Sequence, residues 1–157
     1  MARISPGDAE VALRTFPRRW STLVGGFEPD DPDAQAILDH PGPDGRSAAD
    51  CVAEAAAALE AARGNLRGAT TSAGHTPAET GARAAGSTAA ALRRIDTAAP
   101  ALADMVRGIP ADVLDQQVDV GGRTTTVRAL VADVVDQVAT LLRTADKALR
   151  AGRAVVR

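Results

Sequence analysis

The stretch from Val127 to Leu149 constrains this chain more than any other. Val127, Leu130, Val131, Val134, Val135, Val138, Leu141, Leu142, Ala145 and Leu149 recur at three- and four-residue intervals with polar residues between them. That spacing gathers them on one wide face of an α-helix. A face of that width must be buried against something of similar length. The chain has one Trp, two Phe and no Tyr, so the opposing surface has to come from Ala, Val and Leu. Small side chains let helices approach closely. The expected fold class is therefore all-α, an antiparallel four-helix bundle formed as a single domain over residues 1–157. Its helices should run up-down-down-up or up-down-up-down, with Leu59, Leu92, Val131, Val134, Val138 and Leu142 in the core.

Capping signals divide the rest of the chain. Ser5-Pro6 reads as a cap followed by a first-turn proline, opening a helix over 5–25. Pro17 should kink that helix or start a second segment, and Gly25-Gly26 closes it. Residues 26–46 contain four prolines and one short apolar stretch, Ala34 to Leu38, enough for a single helical turn. The remainder reads as a long loop, either a pocket cover or a disordered segment. Ser47 caps the next helix, with Asp50 at the capping-box distance, and that helix runs to about Arg67. Residues 68–75 have turn chemistry. Thr76-Pro77-Ala78-Glu79 has the form of another helix start, leading to a stripe of Leu92, Ile95, Leu102 and Val106 that Pro100 should bend. Gly121-Gly122, between Val, Asp and Thr residues, suggests a small hairpin. Thr125 or Thr126 then caps the last helix.

The charge pattern excludes some functions. Net charge is −2, from 18 basic and 20 acidic residues of both signs along the chain. No basic patch of the kind nucleic acid requires stands out, and too few aromatics exist for base stacking. The excess of Ala, Arg, Gly and Asp is what a GC-rich, actinobacterial-type genome encodes, so an individual Arg is weak evidence of a phosphate ligand. No apolar run approaches the ~18 residues of a membrane span, and the first 20 residues lack an apolar signal core. A cytoplasmic location, with neither nucleic acid nor membrane as partner, is the expectation. The single cysteine, Cys51, allows no internal disulfide.

Two segments carry a family resemblance. Arg46-Ser47-Ala48-Ala49-Asp50-Cys51-Val52-Ala53-Glu54 resembles the Trp-Ser-x-x-Glu-x-x-x-His stretch that opens the second helix in the DinB/YfiT-like family. Val120-Gly121-Gly122-Arg123-Thr124-Thr125-Thr126-Val127-Arg128-Ala129-Leu130-Val131 resembles its Gly-x-x-Thr-Val-x-x-Leu lead into the fourth helix. The resemblance covers nearly the whole chain in order. It extends to the amino-terminal domain of mycothiol-dependent maleylpyruvate isomerase. It implies one divalent metal, held by a histidine on the second helix and by two residues four apart on the fourth. The matching positions are Glu54, Asp136 and Thr140, and none is histidine. Two carboxylates and a hydroxyl are hard oxygen donors, suited to Mg²⁺ or Ca²⁺ and not to zinc or nickel. The plainer reading of all three is solvated polar residues on polar helix faces.

The resemblance therefore implies a degenerate metal site. The expected function is a small-molecule binding or interaction protein, without a resident cofactor and with homodimer formation open. The alternative is a metal- and thiol-dependent transferase or isomerase of the mycothiol type. A purely structural or toxin–antitoxin partner is a third class. The expected pocket lies between the second and fourth helices around Cys51, Glu54, Asp136 and Thr140, with His40 folded over it from the 26–46 loop. Its acidic oxygens would favour a cationic or hydroxyl-rich ligand. Cys51 is either a rim thiol or a small packing residue, and Trp20 a core residue. His75, like His40, falls in an expected loop.

Overall fold

A helix starts where a side chain can accept the N–H groups left free in its first turn. In the computed structural model, which describes residues 4–71 and 87–157, most helix starts follow this rule. Helix α1 spans Pro6–Val24, and Ser5 Oγ accepts from the Asp8 N–H at 3.1 Å. Helix α2 spans Pro32–Asp39, where Asp31 accepts from the Asp33 N–H at 3.0 Å. Helix α3 spans Ala48–Thr71 and opens with a reciprocal box. Asp50 N–H donates to Ser47 Oγ at 3.1 Å, and Ser47 N–H donates to the Asp50 carboxylate at 3.2 Å. Helix α4 spans Thr88–Gly108 behind a Ser87 cap, and a single turn, α5, spans Ala111–Leu114. Strands β1 (Gln117–Val120) and β2 (Arg123–Thr126) pair antiparallel, with Val120 opposite Arg123. Between them Gly121 and Gly122 have φ of 60° and 76°, the two successive left-handed positions that a tight hairpin turn demands. Thr126 then caps α6, Val127–Val156, through a 3.1 Å bond from the Ala129 N–H.

The structure corrects the sequence reading in several places. Pro17 does not start a second segment: α1 runs through it as one helix, and Leu13, Phe16, Trp20 and Val24, on both sides of it, are all buried in one core. Pro100 lies inside one continuous helix, α4, as expected for that stretch. Residues 26–46 are not one loop with a single turn: α2 is eight residues long. The Asp31-Pro32 start and the burial of Ala34 and Leu38 explain its extra length. Helix α3 does not stop near Arg67 but continues through 68–71, where Gly68 is buried in packing instead of ending the helix. The rest of that expected turn and the Thr76–Glu79 helix start lie outside the described residues. Leu92 is half-buried against the core, while Leu59, Val131, Val134, Val138 and Leu142 are buried in it.

Four long helices share that core. Helix α3 packs most extensively on α6, α1 on α4, and α3 on α4, with a lesser seam between α1 and α6. Arg94 in the second turn of α4 makes two bonds to Glu60 of α3, at 2.9 and 2.5 Å. Further along both helices, Leu66 and Ala69 share a small cleft with Met105 and Gly108. Helices α3 and α4 therefore run in the same sense. Gly42, just before α3, lies against Ala148 late in α6, so α6 runs opposite to them. Arg14 of α1 pairs at 2.6 Å with Asp104 near the end of α4, and residues 18–23 face 142–153 of α6, so α1 runs with α6. No helix among the described residues is long and apolar enough to cross a membrane.

Trp20 and Phe16 are the largest buried side chains. Full burial of side chains of this kind contributes about 1.5–3 kcal/mol each. Trp20 gives some of that back: its indole N–H has no hydrogen-bond partner among the described residues, a desolvation cost of about 1–3 kcal/mol. The 26–46 segment is fastened to α6 by backbone proximity. A Cβ at Gly152 would stand 2.8 Å from the Ile37 carbonyl oxygen, and one at Gly42 would stand 2.9 Å from Ala148 Cα. Gly152→Ala should destabilise the protein by about 1–3 kcal/mol in denaturant titrations. Gly64→Ala, on α3 with open space around it, should stabilise it by about 0.5–1 kcal/mol. Equal effects of the two changes would mean that α2 is not seated on α6 as described.

Candidate functional site

Two of the three expected oxygen donors are engaged by different arginines. Glu54 is about half exposed and pairs with Arg46 at 3.2 Å. Asp136 and Thr140 are exposed on α6, and Thr140 Oγ1 accepts from the Arg143 guanidinium at 3.0 Å. Among the described residues, no group of three or more His, Cys, Asp or Glu side chains is placed to hold a metal ion. His40 ends α2, with its Cβ near Gly152 of α6. His75 lies outside the described residues. Cys51 is completely buried in the core. Burial raises its thiol pKa from an ordinary 9.0 to about 11, with a smaller push from the Glu54 charge.

The feature the sequence reading missed lies at the α1/α6 seam. The buried stripe of α1 is Ala9, Leu13, Phe16, Trp20 and Val24. Helix α1 turns this stripe mainly toward α4 and meets α6 less extensively. The looser seam leaves a cleft of about 690 Å³. Arg18, Arg19, Thr22 and Leu23 of α1 form one wall. Leu142, Arg143, Asp146, Lys147, Arg150 and Arg153 of α6 form the other. Its size falls in the range of small-molecule sites, about 300–1,000 Å³.

The electrostatics of this cleft run against those of the chain. Six of the 18 basic residues line it, with one of the 20 acidic residues. Asp146 is already paired with Arg150 at 2.8 Å. The Arg153 guanidinium lies over the Phe27 ring, 5.5 Å from its centre, a cation–π contact that anchors it at the cleft's end. Arg18, Arg19 and Lys147 have no ion-pair partner among the described residues. Lys147 is the only lysine in the chain. Residues 136, 140, 143, 147 and 150 follow one another at helical intervals of three and four, so they share a stripe of α6. Asp136 and Thr140 are thus the N-terminal end of the stripe that becomes cationic in the cleft. One sequence signal pointed here: Arg143, Lys147 and Arg150 on a single stripe, where like charges repel.

Comparison with known protein families, with curated proteins and with solved structures finds no match for this chain.

The Cys51 environment makes a direct prediction. The thiol should resist a disulfide reagent in native protein at pH 8 and react fully once the chain is unfolded. Stability should also fall between about pH 9 and 11, because the unfolded state loses the thiol proton first. Rapid labelling of the folded protein would show that Cys51 is accessible.

Proposed function

We propose that this chain is a DinB/YfiT-like four-helix bundle of up-down-down-up topology that binds a small molecule in the α1/α6 cleft, without the family's metal site. The observation that carries this reading is the cleft itself, about 690 Å³ between two helices that share one core, with Leu23 and Leu142 among its apolar lining. Ligand sites of helical scaffolds form between helices in this way. The donor set supports the metal-free part: Glu54 is neutralised by Arg46, and Thr140 accepts from an arginine. Neither arrangement favours a borderline-soft ion such as zinc. The alternative, a transferase or isomerase in which a metal activates a cofactor thiol, does not draw on Cys51, whose thiol is buried in the core.

Two measurements test this. Elemental analysis of the purified protein should find no stoichiometric zinc or nickel. About one such ion per chain, lost in Glu54→Ala or Asp136→Ala, would return the metal-enzyme reading. The neutral dye Nile red should bind the native protein with one-to-one stoichiometry, and Thr22→Phe should abolish that binding by filling the cleft. Unchanged binding in Thr22→Phe, or none by the parent protein, would remove the cleft as a ligand site.

A further inference from the structure

We infer that the α1/α6 cleft selects an amphiphilic anion: a phosphate or carboxylate head carried on an apolar body. This deepens the reading of the cleft as a ligand site and rests on it. The cationic groups come from both walls, Arg18 and Arg19 from α1 and Lys147 from α6, and none is neutralised within the described chain. On α6, Lys147 also stands one turn from Arg143 and from Arg150, and like charges at that spacing repel on a helix. Sequences that accept such a local conflict commonly do so at functional sites. An anion between the walls would relieve the repulsion, and low-dielectric walls would focus the field on it.

The floor of the cleft decides against a bare inorganic ion. Leu142 is buried in the core and Leu23 packs against it, and both line the cleft. The long basic side chains extend their methylene stems along such apolar surface while the charged ends reach water. A ligand that fills the cleft therefore meets hydrocarbon below and cations at the rim. Arginine adds a planar fork that matches phosphate and carboxylate oxygens. Thr22 supplies a hydroxyl on the α1 wall. The Asp146 carboxylate is held by Arg150 and so opposes an incoming anion only weakly.

The sole lysine gives the test a site-specific readout. The full-length protein is titrated with decyl phosphate below its micellar concentration, with inorganic phosphate, and with neutral decyl maltoside. Acylation of Lys147 by a succinimidyl ester is followed by mass spectrometry. Decyl phosphate should protect Lys147 and bind at least about tenfold more tightly than either control, a difference of about 1.4 kcal/mol. Its affinity should fall with added salt, and about tenfold or more in Arg19→Gln or Lys147→Gln. Both substitutions replace exposed side chains, and an unchanged circular dichroism spectrum verifies folding. Equal binding of decyl maltoside, insensitive to these substitutions, would overturn the anion preference and leave the cleft as a neutral-ligand site. Equal protection by inorganic phosphate would overturn the amphiphile. Protection only by phosphatidylglycerol vesicles, not by monomeric decyl phosphate or by phosphatidylcholine vesicles, would replace the cleft ligand with an anionic membrane surface. Failure of decyl phosphate where Nile red still binds would sink this inference alone; failure of both would sink the binding reading with it.

Discussion

The interface between α3 and α6 is the contact on which the other packing depends. The buried residues in the first half of α3 are largely small, with Ala48, Cys51, Ala55 and Ala56 among Val52 and Leu59. Small side chains bring two helix axes close and give many weak dispersion contacts per unit length instead of a few large ones. The valine- and leucine-rich face of α6 complements that surface. Helix α4 packs on α3 and α1 on α4, while α1 meets α6 less extensively, and the cleft lies at that looser seam.

Local signals made the helices legible in the sequence, because the residues that set them lie within a turn of one another. Ser5, Ser47 and Thr126 all cap as their chemistry suggests, and the Gly121-Gly122 hairpin forms as its composition requires. The failures came from context. Pro17 does not open a second segment, because core contacts on both sides outweigh one missing hydrogen bond. The start of the 68–75 stretch has turn chemistry in isolation and proves to belong to α3, with Gly68 buried. The eight residues of α2 gain their order from burying Ala34 and Leu38, which no local pattern of that length announces.

The site was much less legible. Arg18 and Arg153 are far apart in sequence, and a charge count along the chain averages over what folding gathers. The same arginines, read one at a time, carry little information in a chain so rich in them. Family resemblance drew attention to Glu54, Asp136 and Thr140, positions defined by where other chains hold a metal. Here one of them is tied to Arg46, and two lie on the stripe that leads into the cationic cleft. Glu54 and Thr140 each meet an arginine side chain.

The final turns of α6 serve several neighbours at once. Lys147, Arg150 and Arg153 line the cleft, Ala148 receives Gly42, Leu149 fills the core, and Gly152 admits the end of α2. Almost every position from 147 to 153 is thereby committed, and neighbouring positions are committed to different surfaces. A rotation of α6 by the angle of one residue would replace a cation with a small contact residue and strip the core of its leucine. Drift in this stretch is therefore restricted from three sides, and the register of one helix fixes the wall of the cleft, the seat of α2 and the filling of the core together.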